Sequence, residues 1–139
     1  MKINHLLITS LLLLASAAAM SEQSQEEFLA GFIAGKYHLL GKSLNSEKTY
    51  FGKIELIVTE KGIEIQRFIE GRKITGTAAV DNVDVLRMRF TENNIKYEET
   101  CMIDGDLDNN ARITCYLYQP GIRTVNPGLE ALFIDRSTN

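Results

Sequence analysis

The chain has 139 residues, of which 45 % are hydrophobic and 24 % charged, and a formal net charge of −3. These proportions match an ordinary globular domain and exclude a wholly disordered chain or a multi-span membrane protein. The length suits one domain, and the mild acidity argues against nucleic-acid binding, whose footprint is a basic stripe.

Residues 1–19 read as a secretory signal peptide. Lys2 supplies the positive start, Leu6 to Leu14 is apolar except for Thr9 and Ser10, and Ala15 to Ala19 is a run of small residues. That order is the signal-peptide pattern, and the apolar stretch is shorter than the ~20 residues of a membrane-spanning helix. Ala17 and Ala19 place the expected cleavage after Ala19. No cysteine lies near the exit to take a lipid anchor. Cleavage removes Lys2, leaving 14 basic residues against 18 acidic ones and a net charge of −4. The expected location is periplasmic or secreted, with no membrane span in the mature chain.

Residues 20–34 form the next expected unit, a short helix. Phe28, Leu29, Phe32 and Ile33 recur at helical spacing, and Ser24 with Glu27 resembles a capping box. The apolar face of this helix is expected to cover one end of the following domain through Phe28 and Phe32.

From residue 35 to 139 the apolar period is two. Tyr37 and Leu39 share a face, and Tyr50, Gly52, Ile54, Leu56 and Val58 share another in the clearest strand, Thr49 to Thr59. Ile63, Ile65 and Ile69 alternate with Glu64, Gln66 and Glu70. Ile74, Gly76, Ala78 and Val80 follow after Gly71. From Val83 to Phe90 the apolar phase slips by one residue, as a bulge produces. Two further strands, Ile95 to Ile103 and Arg112 to Tyr118, flank a turn-rich segment, and Leu129 to Asp135 is the last. Eight short strands with tight turns and no helical crossover must be antiparallel neighbours. The expected architecture is therefore all-β, an eight-stranded antiparallel up-and-down barrel, with a β-sandwich as the alternative.

Cys101 and Cys115 are the only cysteines. Folding their two strands as a hairpin opposes them, and it also opposes Ile103 to Ile113 and Thr100 to Tyr116. Directly opposed strand residues lie within disulfide range, and export favours the bond. The connecting turn carries Asp104, Asp106 and Asp108 at the first calcium-ligand spacings of an EF-hand. Asn109 and Cys115 then occupy the positions that require Gly and Glu, so the turn reads as an acidic hairpin tip.

The run Gly-Lys-Tyr-His-Leu-Leu-Gly at 35–41, Tyr-Phe-Gly-Lys-Ile at 50–54, Gly76, and Gly-Leu-Glu-Ala-Leu at 128–132 resemble small exported bacterial calycin-type barrels. These are lipocalin-like domains, some described as fibronectin-binding. The resemblance covers the chain after residue 35 and implies ligand or protein binding. The chain departs from true lipocalins in lacking Trp, with Tyr37 in the region of their Gly-x-Trp. Exported barrel-type lysozyme inhibitors offer a second comparison, but their Ser-Gly-containing loop is not visible here.

Enzymatic signatures are missing from the sequence. His38 is the one histidine outside the leader, and no nucleophile elbow, zinc-helix motif, P-loop or dinucleotide fingerprint occurs. The expectation is a non-enzymatic binding protein with no catalytic residues, no metal and no cofactor. It holds a small apolar, amphipathic or anionic ligand, or an extracellular protein. The alternative is an inhibitor or adhesin-like module that binds through its loops. Strict alternation puts Arg67 in phase with Ile63, Ile65 and Ile69, Arg87 in phase with Val83 and Val85, and Glu99 in phase with Cys101 and Ile103. These three are the candidate ligand-binding residues. Glu99 is expected to pair with one arginine, leaving the other for an anionic group. The competing expectation is that a bulge near Val85 turns Arg87 outward and that Arg67 lies near a strand end in solvent.

Overall fold

The computed structural model describes residues 25–82, 84–105 and 111–138. The expected leader at 1–19, the expected capping residue Ser24, and Asp106 and Asp108 of the acidic segment lie outside the described residues. A helix, α1, covers 25–33. Eight strands follow: β1 (Gly35–Lys42), β2 (Thr49–Thr59), β3 (Gly62–Ile69), β4 (Arg72–Asn82), β5 (Val85–Glu92), β6 (Ile95–Gly105), β7 (Ala111–Tyr118) and β8 (Gly128–Ile134). Each pairs antiparallel with its neighbour in sequence, and β1 also pairs with β8, which closes the sheet into a barrel. Closure leaves no unpaired edge, and it excludes the sandwich.

Local chemistry explains the connections. Glu70 and Gly71 form a two-residue loop with both φ angles positive, as do Asn93 and Asn94. That backbone matches the right-handed twist of the strands it joins, and Gly and Asn adopt it at little cost. Gly35, with φ of 149°, makes the sharp passage from α1 into β1.

Alternation decides the core. Tyr37, Leu39, Ile54, Leu56, Ile65, Leu86, Met88, Ile113 and Leu132 fill the interior at 2 % exposure or less. The barrel is packed with side chains, as eight strands allow. In β5 the inward phase belongs to Leu86, Met88 and Phe90, so Val85 and Arg87 face out. The irregularity that accommodates this lies on the partner strand, where the β4–β5 register shifts between Val80 and Asn82.

Helix α1 lies against the core through Phe32, as expected, but not through Phe28. Ile33 is fully buried, and Ala30 and Phe32 pack against the cluster. Phe28 is 73 % exposed and contributes little. The helix stops after Ile33, and Tyr37 donates its hydroxyl hydrogen to the Ile33 carbonyl at 2.6 Å. That bond satisfies one of the carbonyls a helix end leaves without a partner. Burial pushes the Tyr37 phenol up to about 12.

Cys101 and Cys115 are directly opposed on β6 and β7, with Cα atoms 4.0 Å apart, and form a buried disulfide. Among the described residues, no helix is long and apolar enough to cross a membrane.

Candidate functional site

The interior contains a charged cluster contributed by strands that are not neighbours. Arg67 stands on β3, facing Ile54 and Ile74 on the flanking strands. Its guanidinium crosses the barrel to Glu99 on β6, with Nη1 at 3.1 Å from Oε1 and 3.3 Å from Oε2. Nη1 also donates to Oε2 of Glu130 on β8 at 3.0 Å, and Nη2 donates to the other oxygen of Glu130. Tyr50 of β2 donates its hydroxyl hydrogen to Glu130 as well. The guanidinium carbon lies 4.2 Å from the centre of the Phe90 ring, a cation–π arrangement. Arg67 is 2 % exposed, Glu99 0 % and Glu130 3 %.

The inward reading of Arg67 and Glu99 holds, and of the two arginines Arg67 is the one that pairs with Glu99; the competing placement of Arg67 in solvent is overturned by its burial. It also holds the signal for the missed member, since Glu130 is in phase with the inward Gly128 and Leu132. Arg87, the third candidate, is not in the interior. It lies on the outer face, with Nη2 at 2.5 Å from Asp81 and Nη1 at 3.2 Å from Glu98. Arg89 and Tyr118 complete that outer group around Glu98. The Tyr118 hydrogen bond, with Arg89 and Arg87 beside it, holds the Glu98 carboxyl below its ordinary value despite partial burial.

The expected spare arginine is therefore absent from the described interior, because two carboxylates engage Arg67. Burial alone would lower the Arg67 pKa, but Glu99 and Glu130 outweigh it and the net shift is upward. Glu99 shows the opposite balance. Full burial, reinforced by Glu130, raises its carboxyl well above the usual range even though Arg67 pulls it down. Burial thus disfavours the charged form of Glu99, against the pull of Arg67. Both carboxyl groups engage the Arg67 guanidinium, so it is not the free cation that an anionic ligand would pair with.

A cleft of about 220 Å³ opens at the barrel end away from α1 and reaches down to Arg67. Tyr50, Phe90, Tyr97, Leu44 and Leu117 supply its apolar wall, and Phe90 stacks on Tyr97 with centroids 5.4 Å apart. Its rim is charged but internally paired, Lys48 with Glu70 at 3.3 Å and Arg72 with Glu70 and Glu92. The long connection between β7 and β8 flanks this end. Asn126 pins it to the β1–β2 connection by donating to Glu47 at 3.1 Å and accepting from Lys42 at 2.6 Å.

Two other candidates resolve simply. The carboxylate of Glu99 and the sulfurs of Cys101 and Cys115 lie within 4.8 Å of one another. Both sulfurs are joined in the disulfide, so neither is the thiolate that metal binding needs. His38 is outward on β1, with Nε2 at 3.4 Å from Asp135, a neighbour its own sequence surroundings do not reveal.

No family model matches the chain, and no curated protein matches it.

Proposed function

We propose that this is an exported, non-enzymatic binding protein that takes a small amphipathic ligand at the open end of its barrel. One observation carries the reading: the two ends differ. Ile33 and Ala30 of α1 pack into one end, beside a cleft between α1 and β2–β4, whereas the cleft at the other end has an aromatic wall and reaches down to Arg67. Apolar walls with a few convergent polar groups are the usual make-up of a small-molecule site. The interior below is filled by Leu, Ile, Met and the Arg67 cluster, so the ligand sits in the mouth rather than deep in the barrel. The disulfide supports export, because such bonds persist in oxidising compartments.

A second reading has its own observation. Ile122 and Val125, on the connection beside the cleft, are 62 % and 82 % exposed. Two bare aliphatic side chains on one loop suit contact with a protein, as an inhibitor or adhesin-like module would make. Native mass spectrometry of the chain purified from its own host tests both. A small-molecule adduct that disappears in Tyr97→Ala supports the mouth site. A protein adduct that disappears in the Ile122→Ser/Val125→Ser variant supports the loop reading instead.

A further inference from the structure

The outer surface of the barrel is two-sided. Outward positions on β3 to β5 are mostly polar, among them Glu64, Lys73, Thr75, Thr77 and Arg89. On the side formed by β2, β1, β8, β7 and β6, the outward side chains of Phe51, Leu40, Leu129, Phe133, Tyr116 and Met102 are each at least 41 % exposed, and Phe51 is 74 % exposed. The register makes them one surface. Phe51 lies opposite Leu40, Leu40 opposite Ala131, Ala131 opposite Thr114, and Thr114 opposite Met102. Leu129 and Phe133 stand two residues either side of Ala131, on the same face of β8, and Leu129 lies opposite Tyr116. Ala131 is the small residue in the middle. Over it lies a trough of about 440 Å³, walled by Leu40, Thr114 and Leu129.

We propose that this face joins two copies of the chain about a two-fold axis near Leu40, with Phe51 of each copy seated in the trough over Ala131 of the other. Three observations select a second copy as the occupant. The first is shape. One face carries both a projecting ring and a hollow, and a two-fold rotation exchanges them, which is the self-complementarity an isologous interface needs. The second is charge. The positions that build the face carry no ionised side chain, so two copies meet without opposing like charges or burying an unpaired one. The nearest cations, Lys42, Lys53 and Arg112, already have carboxylate partners in Glu47, Asp135 and Asp104. The third is area. The six side chains expose on the order of 600 Å², the upper end for the largest apolar patch on a monomer. With a polar rim such a core reaches the roughly 800 Å² per partner of a stable pair. The trough shares no lining residue with the cleft at the open end, so the pairing stands apart from the mouth-site reading.

Sedimentation equilibrium of the oxidised protein, from micromolar to millimolar concentration, tests this. A monomer–dimer equilibrium is expected. Phe51→Ser removes the ring and Ala131→Arg fills the hollow, and each is expected to weaken the dimer about tenfold or more, as loss of an interface anchor does. Both positions point outward, so melts of the variants at low concentration are expected to match the monomeric parent. A second measurement needs no variant. In a sample mixing carbon-13-labelled and unlabelled parent chains, NMR is expected to show contact between the Phe51 ring of one copy and the Ala131 methyl of another. A protein that stays monomeric throughout overturns the proposal and leaves the face to a different partner. A dimer that lacks the Phe51–Ala131 contact, or that both variants leave intact, also overturns it and places the interface elsewhere. Growth beyond two copies overturns it as well, because a two-fold contact closes at the dimer.

Discussion

Gly41 has no side chain, and the ring of Tyr50 occupies the space one would need. Gly41 lies opposite Tyr50 on β2 and opposite Glu130 on β8. The bare backbone lets the phenol lie across β1 and reach the Glu130 carboxylate. Gly41→Ala is expected to push the ring aside and cost about 1–3 kcal/mol by overpacking. Loss of the Tyr50–Glu130 bond, read from the Tyr50 hydroxyl and ring signals, is the accompanying check. The two arginines separate just as sharply. Arg67→Ala leaves Glu99 and Glu130 together in the interior without their cation, and stability is expected to fall by about 3–5 kcal/mol. Arg87 is exposed by a third and shares Glu98 with Arg89 and Tyr118. Arg87→Ala is expected to stay within about 1 kcal/mol of the parent. Equal losses for the two variants in urea unfolding would contradict the opposite faces assigned to them.

At the scale of the element, α1 contributes through its last turn. Ile33→Ala is expected to cost about 2–4 kcal/mol because the side chain is wholly buried, and Phe28→Ala less than about 0.5 kcal/mol. Thermal melts of the two variants decide it, and a larger effect at Phe28 would move the contact to the first turn. The β6–β7 hairpin carries the disulfide across 14 residues of chain. Closing a loop of that size stabilises by about 3 kcal/mol in the chain-entropy model. The Cys101→Ala/Cys115→Ala variant should fold with that reduction in unfolding free energy. Non-reducing mass analysis of the parent should find no free thiol.

For the whole molecule, the raised carboxyl pKa of Glu99 makes stability depend on pH. Its carboxyl is raised above the value it has in the unfolded chain, so folding takes up a proton once pH exceeds the unfolded pKa. Its contribution is complete below about pH 4 and is lost as pH climbs toward the folded value. Stability from this group should therefore fall as pH rises from the unfolded pKa toward the folded one. Glu99→Gln mimics the protonated form and removes that slope, so the variant is expected to overtake the parent in stability as pH rises. Parallel urea titrations at pH 5, 6 and 7 check this, and a constant difference between the two proteins would refute it. Asp135 acts in a separate, acidic window. Hydrogen bonds from Ser137, with His38 and Lys53 nearby, lower its carboxyl to about 2. Its stabilisation is present above about pH 4 and disappears as pH falls through 2.

The eight strands were legible because side-chain alternation in a half-buried strand is a local property. Thr49–Thr59 appears in the barrel with the bounds its apolar period indicates, and the Cys101–Cys115 pairing follows from the turn between its strands. The same alternation placed Arg67 and Glu99 on an inward face. For Arg87 it left an inward and an outward placement open, and the outward one holds, because the inward phase of β5 belongs to Leu86, Met88 and Phe90. Alternation states which face a residue takes within its strand. It does not state which distant strands meet across the interior. Glu130 lies 63 residues from Arg67, and only closure of β8 onto β1 brings them within hydrogen-bonding distance. The sequence by itself thus determined the strand pattern and the disulfide, both set by local spacing. The tertiary structure alone decided which polar residues meet in the interior and where the clefts open. Those depend on distances across the closed barrel, which no local period encodes.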